Sequence, residues 1–317
     1  MKRRSGYLEK PQALCKGSRL AVVSPSSPAD QEAIAAGMKE LTRLGFQVNS
    51  PPARVPDGYF SEEHQTRAGL FLKSFHDRKI DGVVAARGGY GANYLIDFHV
   101  AKELGSPKCL IGFSDLNVLQ LHLLEIRQWA GFYGPMVAAG FNHGSGNPSG
   151  YDELSFLQAV TETTAGWEIP LQGEAYLSGR SGSATGRIVG GCLSMLQTTL
   201  ATGWEPDTDG AILLLEDRGM KPYQVDRAMR HLQQAGKLAK VAGIVLGDFP
   251  DCEAPQGSPT VHDILEPILA PLRVPVVYGA PIGHTKRPML TIPLGVRAKL
   301  HAKGEGVLEI SEPAVVG

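Results

Sequence analysis

Three polar residues in this chain stand where an apolar run gives way to a loop. They are Ser114 in Ile111-Gly-Phe-Ser-Asp-Leu-Asn117, Glu216 at the end of Ala211-Ile-Leu-Leu-Leu-Glu216, and His284 in Ala280-Pro-Ile-Gly-His-Thr-Lys286. A hydroxyl, a carboxylate and an imidazole so placed can act as nucleophile, orienting acid and general base, in the chain order Ser, Glu, His of a hydrolase triad. Ser114 lies between a short apolar strand and a helical run, a sharp turn that can lift a hydroxyl above a sheet as a nucleophile elbow does. The segment is not G-x-S-x-G, and a serine before Asp115 could equally cap the helix. Glu216 follows apolar residues that disfavour its charge unless a cation or donor compensates. Arg218 could be that partner, and Asp217 competes for the same role. His284 could be an ordinary surface histidine.

Arg87-Gly-Gly-Tyr-Gly91 closes another apolar run and offers unhindered backbone amides that could stabilise an oxyanion. Its spacing matches neither G-x-G-x-x-G nor G-x-x-x-x-G-K-[ST], so nucleotide-phosphate binding is a minor reading. An enzyme that removes a single terminal residue must recognise a free carboxylate, and a guanidinium fits one bidentately. Arg87 is the candidate for that contact, with Lys286 and Arg287 as alternatives. Cys15, Cys109, Cys192 and Cys252 lie too far apart for zinc spacing and read as buried small hydrophobes in a reducing compartment. No metal and no cofactor is expected.

These residues need elements to hold them. Arg19–Ser24, Asp81–Arg87 and Cys109–Phe113 read as buried strands, with helices over Asp30–Leu44, Ser61–His76 and Asp115–Arg127 between and after them. Strand alternating with helix implies a parallel sheet with crossovers. The second half restarts at Arg187–Val189, with strands at Ala211–Leu215, Val241–Leu246 and Val274–Tyr278. A helix over Pro222–Gln234 has Pro near N1 and Gly236 just beyond its end. Met289–Ile310 alternates as an antiparallel ribbon would. The Gly-, Ser- and Thr-rich stretches 143–152 and 163–186 are the linker candidates. The expected fold is α/β: an N-terminal parallel-sheet (Rossmann-like) domain over residues 1–150, a linker over 151–186, and a C-terminal α/β domain with an antiparallel C-terminal ribbon over 187–317.

Length and charge limit the function. A chain of 317 residues accommodates two modest domains, and 31 Lys plus Arg against 32 Asp plus Glu give no basic field for nucleic acid or an anionic membrane. A small-molecule partner is expected. No export signal or membrane span is visible, because Gly6, Glu9, Lys10 and Pro11 break any apolar run near the start. A cytoplasmic location follows as the expectation.

Taken together, ARGGYG at 86–91, IGFSDLN at 111–117, YGPM at 133–136, GGCLSML at 190–196, LLLEDRGMKPYQVDRAM at 213–229, GIVLGDF at 243–249 and GAPIGHT at 279–285 resemble the LD-carboxypeptidases, a serine peptidase family that includes the microcin C immunity proteins. The resemblance runs from about Lys16 to near the C-terminus. It implies Ser114 as nucleophile on the N-terminal domain, Glu216 and His284 from the C-terminal domain, and an oxyanion hole from the amides around Gly88 or Gly89 and of Asp115. A homodimer is implied as well. Two positions depart from the family pattern, Cys192 where Asn is frequent and Tyr133 where His commonly precedes Gly-Pro-Met, and neither belongs to the triad. The implied activity is release of the terminal D-alanine from a murein tetrapeptide in cell-wall recycling. Cleavage of a peptidyl- or aminoacyl-nucleotide amide in self-immunity is the alternative within the same chemistry. A two-domain protein that closes on a small molecule without chemistry is the alternative outside it.

Overall fold

The computed structural model describes residues 7–49, 57–175 and 182–317. Two sheets organise it. The first has the order β12-β5-β4-β3-β1-β2, from β1 (Arg19–Val23), β2 (Gln47–Asn49), β3 (Gly82–Ala85), β4 (Cys109–Gly112), β5 (Gly131–Tyr133) and β12 (Ile292–Leu294). Strands β1 to β5 run parallel in the order 2-1-3-4-5 of an open doubly wound sheet, which places ligands beyond the carboxyl ends of its strands. β3 and β4 are buried along their whole length, as parallel strands covered on both faces must be.

The second sheet has the order β6-β14-β13-β8-β9-β10-β11-β7, from β6 (Trp167–Pro170), β7 (Glu174–Ala175), β8 (Gly182–Cys192), β9 (Ile212–Glu216), β10 (Gly243–Gly247), β11 (Val276–Ala280), β13 (Arg297–Ala302) and β14 (Val307–Ile310). Its centre, β8 to β11, is parallel, and β6, β13, β14 and β7 are antiparallel additions. Alternation along β9 divides the core. Ile212 and Leu214 join an apolar cluster continuous with Val83, Ile111 and Phe132 of the first sheet. Leu213 and Leu215 face the helices Pro222–Gln234 and Val261–Leu269, packing with Val225, Met229, Leu232 and Leu265.

The expected fold class therefore stands, with differences in detail. The C-terminal ribbon is split between the sheets: β12 pairs with β5 of the first, while β13 and β14 belong to the second. The stretch 151–186 is no free connector. It carries the helix Glu153–Thr161, whose Phe156 is fully buried against Phe46 and Phe141, and the edge strand β6. Residues 143–152 are likewise tied down, with Met289 N–H on the Gly150 carbonyl and Asp152 N–H on the Met289 carbonyl. Of the 163–186 segment, residues 176–181 lie outside the described residues, as do residues 1–6 of the opening stretch. Cys15 is exposed, contrary to expectation, while the other three cysteines are buried. Among the described residues no helix is long and apolar enough to cross a membrane.

Candidate active site

The nucleophile side begins at β4. The strand ends at Gly112, Phe113 continues extended, and Ser114 then adopts φ +60° before a short 3-10 turn, Ser114–Leu116, leads into the helix Asn117–Arg127. A serine in the left-handed region carries strain on the order of 1 kcal/mol, tolerated only where the surroundings enforce it. Ser114 is therefore no helix cap: neither the 3-10 turn nor the helix after it has a side-chain cap. Its hydroxyl makes no hydrogen bond with the described residues. The amides opening this turn have no acceptor within it, and the Asp115 amide is one of them.

Several buried polar groups brace this turn. The Asp115 carboxylate accepts from the Ser26 hydroxyl at 2.6 Å and from the Ala92 amide at 2.7 Å. Burial pushes its carboxyl up, against the opposing pull of these donors and of Arg67. Arg67, 1% exposed, donates to the carbonyls of Pro25 and Gly91, the latter at 2.8 Å. The loops after β1, β3 and β4 are thus stitched into one rigid edge. In that edge Gly88 lies so close to the nucleophile that a Cβ there would come within 2.8 Å of Ser114 Oγ, which explains why this position has no side chain. Ser27 donates its amide to the Gly88 carbonyl at 3.2 Å and accepts the Tyr90 amide at 3.1 Å, so the amides of Gly88 and Gly89 stand outside these pairs.

The acid–base side comes from the second sheet. Glu216, the last residue of β9, is fully buried and collects three donors. The His284 backbone N–H reaches Oε2 at 2.9 Å, His284 Nδ1 reaches Oε2 at 3.0 Å, and the Tyr133 hydroxyl donates to Oε1. A carboxylate can only accept, so in the neutral ring Nδ1 carries the proton and Nε2 has a free lone pair, as a general base requires. Burial pulls the imidazole pKa down, but the Glu216 charge and hydrogen bond outweigh it, with Asp217 adding and Arg218 opposing, so His284 titrates above its ordinary value. The approach depends on Gly283, at φ +56°, where a Cβ would fall 2.5 Å from the Glu216 carboxylate.

The rival carboxylate is occupied elsewhere. Asp217 accepts the Ser194 amide at 2.8 Å and the Arg218 amide at 2.7 Å, which pins the start of the helix Leu193–Thr198. Arg218 pairs with Asp251, so it is not the cation that compensates Glu216.

The halves meet through Phe113, whose ring stands edge-on to the His284 imidazole with centroids 5.0 Å apart. Since Phe113 precedes Ser114, nucleophile and base share one neighbourhood, although no hydrogen bond joins them. Asn117 spans the same junction, donating to the Gly190 carbonyl at 3.2 Å and accepting the Cys192 amide at 3.1 Å. Of the three cations considered for a carboxylate, Arg287 is consumed by Asp248 at 2.6 Å and by the carbonyls of Gln172 and Gly279. Lys286 is paired with Asp251 at 3.0 Å. Arg87 is exposed and bonds only the Pro28 carbonyl, at 2.9 Å, with no carboxylate partner among the described residues. Sequence reasoning missed the Tyr133 hydroxyl, the Asp115 side chain, Arg67 and Asn117. Asn117 and Asp115 lie inside IGFSDLN and Tyr133 opens YGPM, so the motifs flagged the positions without their contacts.

Comparison with known proteins gives the family. The LD-carboxypeptidase N-terminal domain matches residues 20–134 and the LD-carboxypeptidase C-terminal domain residues 185–300. A probable murein peptide carboxypeptidase of Bacillus subtilis is 31% identical over 96% of this chain and 97% of its own. The microcin C7 self-immunity protein MccF of Escherichia coli is 27% identical over 90% of each chain. The crystal structure of a muramoyltetrapeptide carboxypeptidase from Oxalobacter formigenes superposes with a TM-score of 0.80 at 27% identity, covering 93% of this chain and 99% of that one. With both halves matched in order along nearly the full length, this chain belongs to the LD-carboxypeptidase family and is a peptide hydrolase.

Proposed function

We propose that the chain is a serine LD-carboxypeptidase that releases the terminal D-alanine from murein tetrapeptides, cutting between an L-configured centre and the D-residue. The observation that carries this reading is the Glu216–His284 pair, its Nδ1 held at 3.0 Å, set through Phe113 beside a serine with φ +60°. His284 Nε2 takes the Ser114 proton as Oγ attacks the scissile carbonyl. Glu216 holds the tautomer and stabilises the imidazolium. The amides of Gly88 or Gly89 and of Asp115 receive the oxyanion. His284 then protonates the departing amine, and water hydrolyses the acyl-enzyme with His284 again as base. The Ser114–His284 hydrogen bond forms as substrate binds, since catalytic hydrogen bonds commonly tighten at that point. Arg87 contacts the free carboxylate. The same reading has residues 1–150 as the nucleophile domain and 187–317 as the domain of acid and base, in a cytoplasmic homodimer serving cell-wall recycling.

The names of the similar proteins support the murein substrate, and mass spectrometry tests it directly. Incubation with murein tetrapeptide should yield tripeptide and free D-alanine. Turnover of an aminoacyl-nucleotide amide with the tetrapeptide untouched would replace the recycling role with self-immunity. Folded protein that processes neither substrate and leaves Ser114 unlabelled by a fluorophosphonate probe would be a binding protein instead.

A further inference from the structure

The triad reading above leaves one polar contact to its carboxylate without a role. Tyr133 is the last residue of β5, two strands into the first sheet, and it is fully buried. Its backbone is locked on both sides, paired with Gly112 of the nucleophile strand and with Ile292 of β12. From there its hydroxyl crosses to the second sheet and donates to Glu216 Oε1, while Oε2 takes the His284 amide and the shorter of two Nδ1 contacts, 3.0 Å against 3.2 Å to Oε1. A buried phenol normally needs one partner, and many orientations could supply it. Here the partner is the oxygen of Glu216 that the His284 backbone amide leaves alone.

We propose that Tyr133 is a positioning residue for the triad, fixing the rotation of the Glu216 carboxylate and moderating its charge, and thereby setting the basicity of His284. The His284 loop takes Oε2 twice, through its amide and the shorter Nδ1 contact, and reaches Oε1 only by the longer Nδ1 contact at 3.2 Å, so Tyr133 is the one donor to Glu216 that comes from the first sheet. Without Tyr133, both oxygens would be held only by the His284 loop, so carboxylate and imidazole could turn together. A donor from the first sheet fixes the carboxylate, and with it the imidazole, relative to the strand that carries Ser114. The hydrogen bond also withdraws negative charge from Glu216, because donation to an anion stabilises it. Burial and the Glu216 charge push the phenol far above its ordinary value, so it remains a neutral donor. The charged groups facing the pair are accounted for: Asp217 raises the His284 pKa, Arg218 opposes, and the Cys192 thiol, itself pushed up by burial, is neutral.

The inference rests on the triad reading, and the test separates the two. If Ser114→Ala keeps substantial activity, the triad reading itself fails. With Ser114 established, Tyr133→Phe should lower kcat roughly 10- to 100-fold, as loss of a buried hydrogen bond to a charged group does, with KM nearly unchanged. Its kcat/KM acid limb should move to higher pH, because an unmoderated Glu216 binds the imidazolium more strongly. Incorporating 3-fluorotyrosine at position 133 keeps the shape, strengthens the donor and should move the same limb to lower pH. In a Glu216→Gln background both shifts should vanish. Should Tyr133→Phe fail to fold, the fluorotyrosine protein decides alone. An acid limb that stays put in whichever of these proteins folds, or a Tyr133→Phe loss undiminished beside Glu216→Gln, would reduce Tyr133 to a packing residue and overturn the proposal.

Discussion

Each half of the site buries a carboxylate at the carboxyl end of a strand or one residue into the turn after it, yet they do different things. Asp115, on the nucleophile side, accepts from Ser26 and Ala92 and sits near the Arg67 guanidinium, so its bonds tie three loops together. Glu216, on the other side, takes both its His284 donors from a single loop and offers its second oxygen across the junction to Tyr133. Burial alone would not tell them apart; the identity of the donors does. The Ser114 half is a strained, braced edge whose serine hydroxyl makes no hydrogen bond among the described residues. The acid–base half is a closed hydrogen-bonded unit that already has its proton on the right nitrogen.

That contrast predicts unequal costs. Ser114→Ala removes the proposed nucleophile while leaving the bracing intact, and kcat should drop by about 10⁴-fold or more with fold and substrate binding preserved. A variant with a tenth of wild-type activity in a steady-state assay would contradict the assignment. Glu216→Gln keeps shape and one acceptor oxygen but loses the charge that stabilises the imidazolium, so its loss should be smaller, roughly 10²- to 10⁴-fold. Its neighbour supplies the control. Asp217→Asn still offers a carbonyl to the Ser194 amide and should lower Tm more than kcat, and the reverse pattern between these two variants would mean that Asp217 is the acid.

Sequence reasoning reached these residues because chemistry at the edge of a parallel sheet announces itself by type: a Ser, a Glu and a His each after an apolar run. The helix Pro222–Gln234 was equally legible, since Pro opens it, Gly236 follows it and its apolar stripe has helical spacing. What stayed hidden is what needs a partner from far along the chain. The strand β12 is three residues with a central Pro293, and nothing in Ile-Pro-Leu says it will join β5 of the first sheet and not the ribbon that follows it. The edge strand β6 hides in a stretch whose Gly and Thr content reads as loop, because only Trp167 and Ile169 point inward. Tyr133 reads as one more apolar residue in Gly-Phe-Tyr; its meeting with Glu216, 83 positions away, is a product of how the sheets pack.

The acid–base half also sets the pH response. His284 must be neutral to accept the serine proton, and its pKa lies above the ordinary 6.5 because Glu216 outweighs burial. The sign follows: lowering pH protonates the base and removes activity, and raising pH through the His284 pKa restores it. A kcat/KM profile should therefore show an acid limb with its midpoint above 6.5. A midpoint below that value would mean that desolvation dominates and that Glu216 does not hold the charge assigned to it.

The smallest effect belongs to the nucleophile half, at the point where it would meet the substrate terminus. Arg87 ends the run that leads into Gly88, is exposed, and donates only to the neutral Pro28 carbonyl. Arg287 cannot take its place without abandoning Asp248, and Lys286 would have to leave Asp251. A guanidinium beside the Gly88 amide, with no anionic partner among the described residues, is the group best able to accept a free carboxylate bidentately. Because Arg87 is in water before substrate arrives, its contribution is moderated by screening, and Arg87→Ala should cost roughly 10-fold in kcat/KM, carried mostly by KM. Amidating the substrate terminus should cost wild type about the same, and combining the two changes should add little, since both remove one interaction. Independent, multiplying losses would show that Arg87 does not touch the carboxylate. Efficient cleavage of the amidated peptide by wild type would go further, because an enzyme indifferent to the free terminus has no reason to stop after one residue.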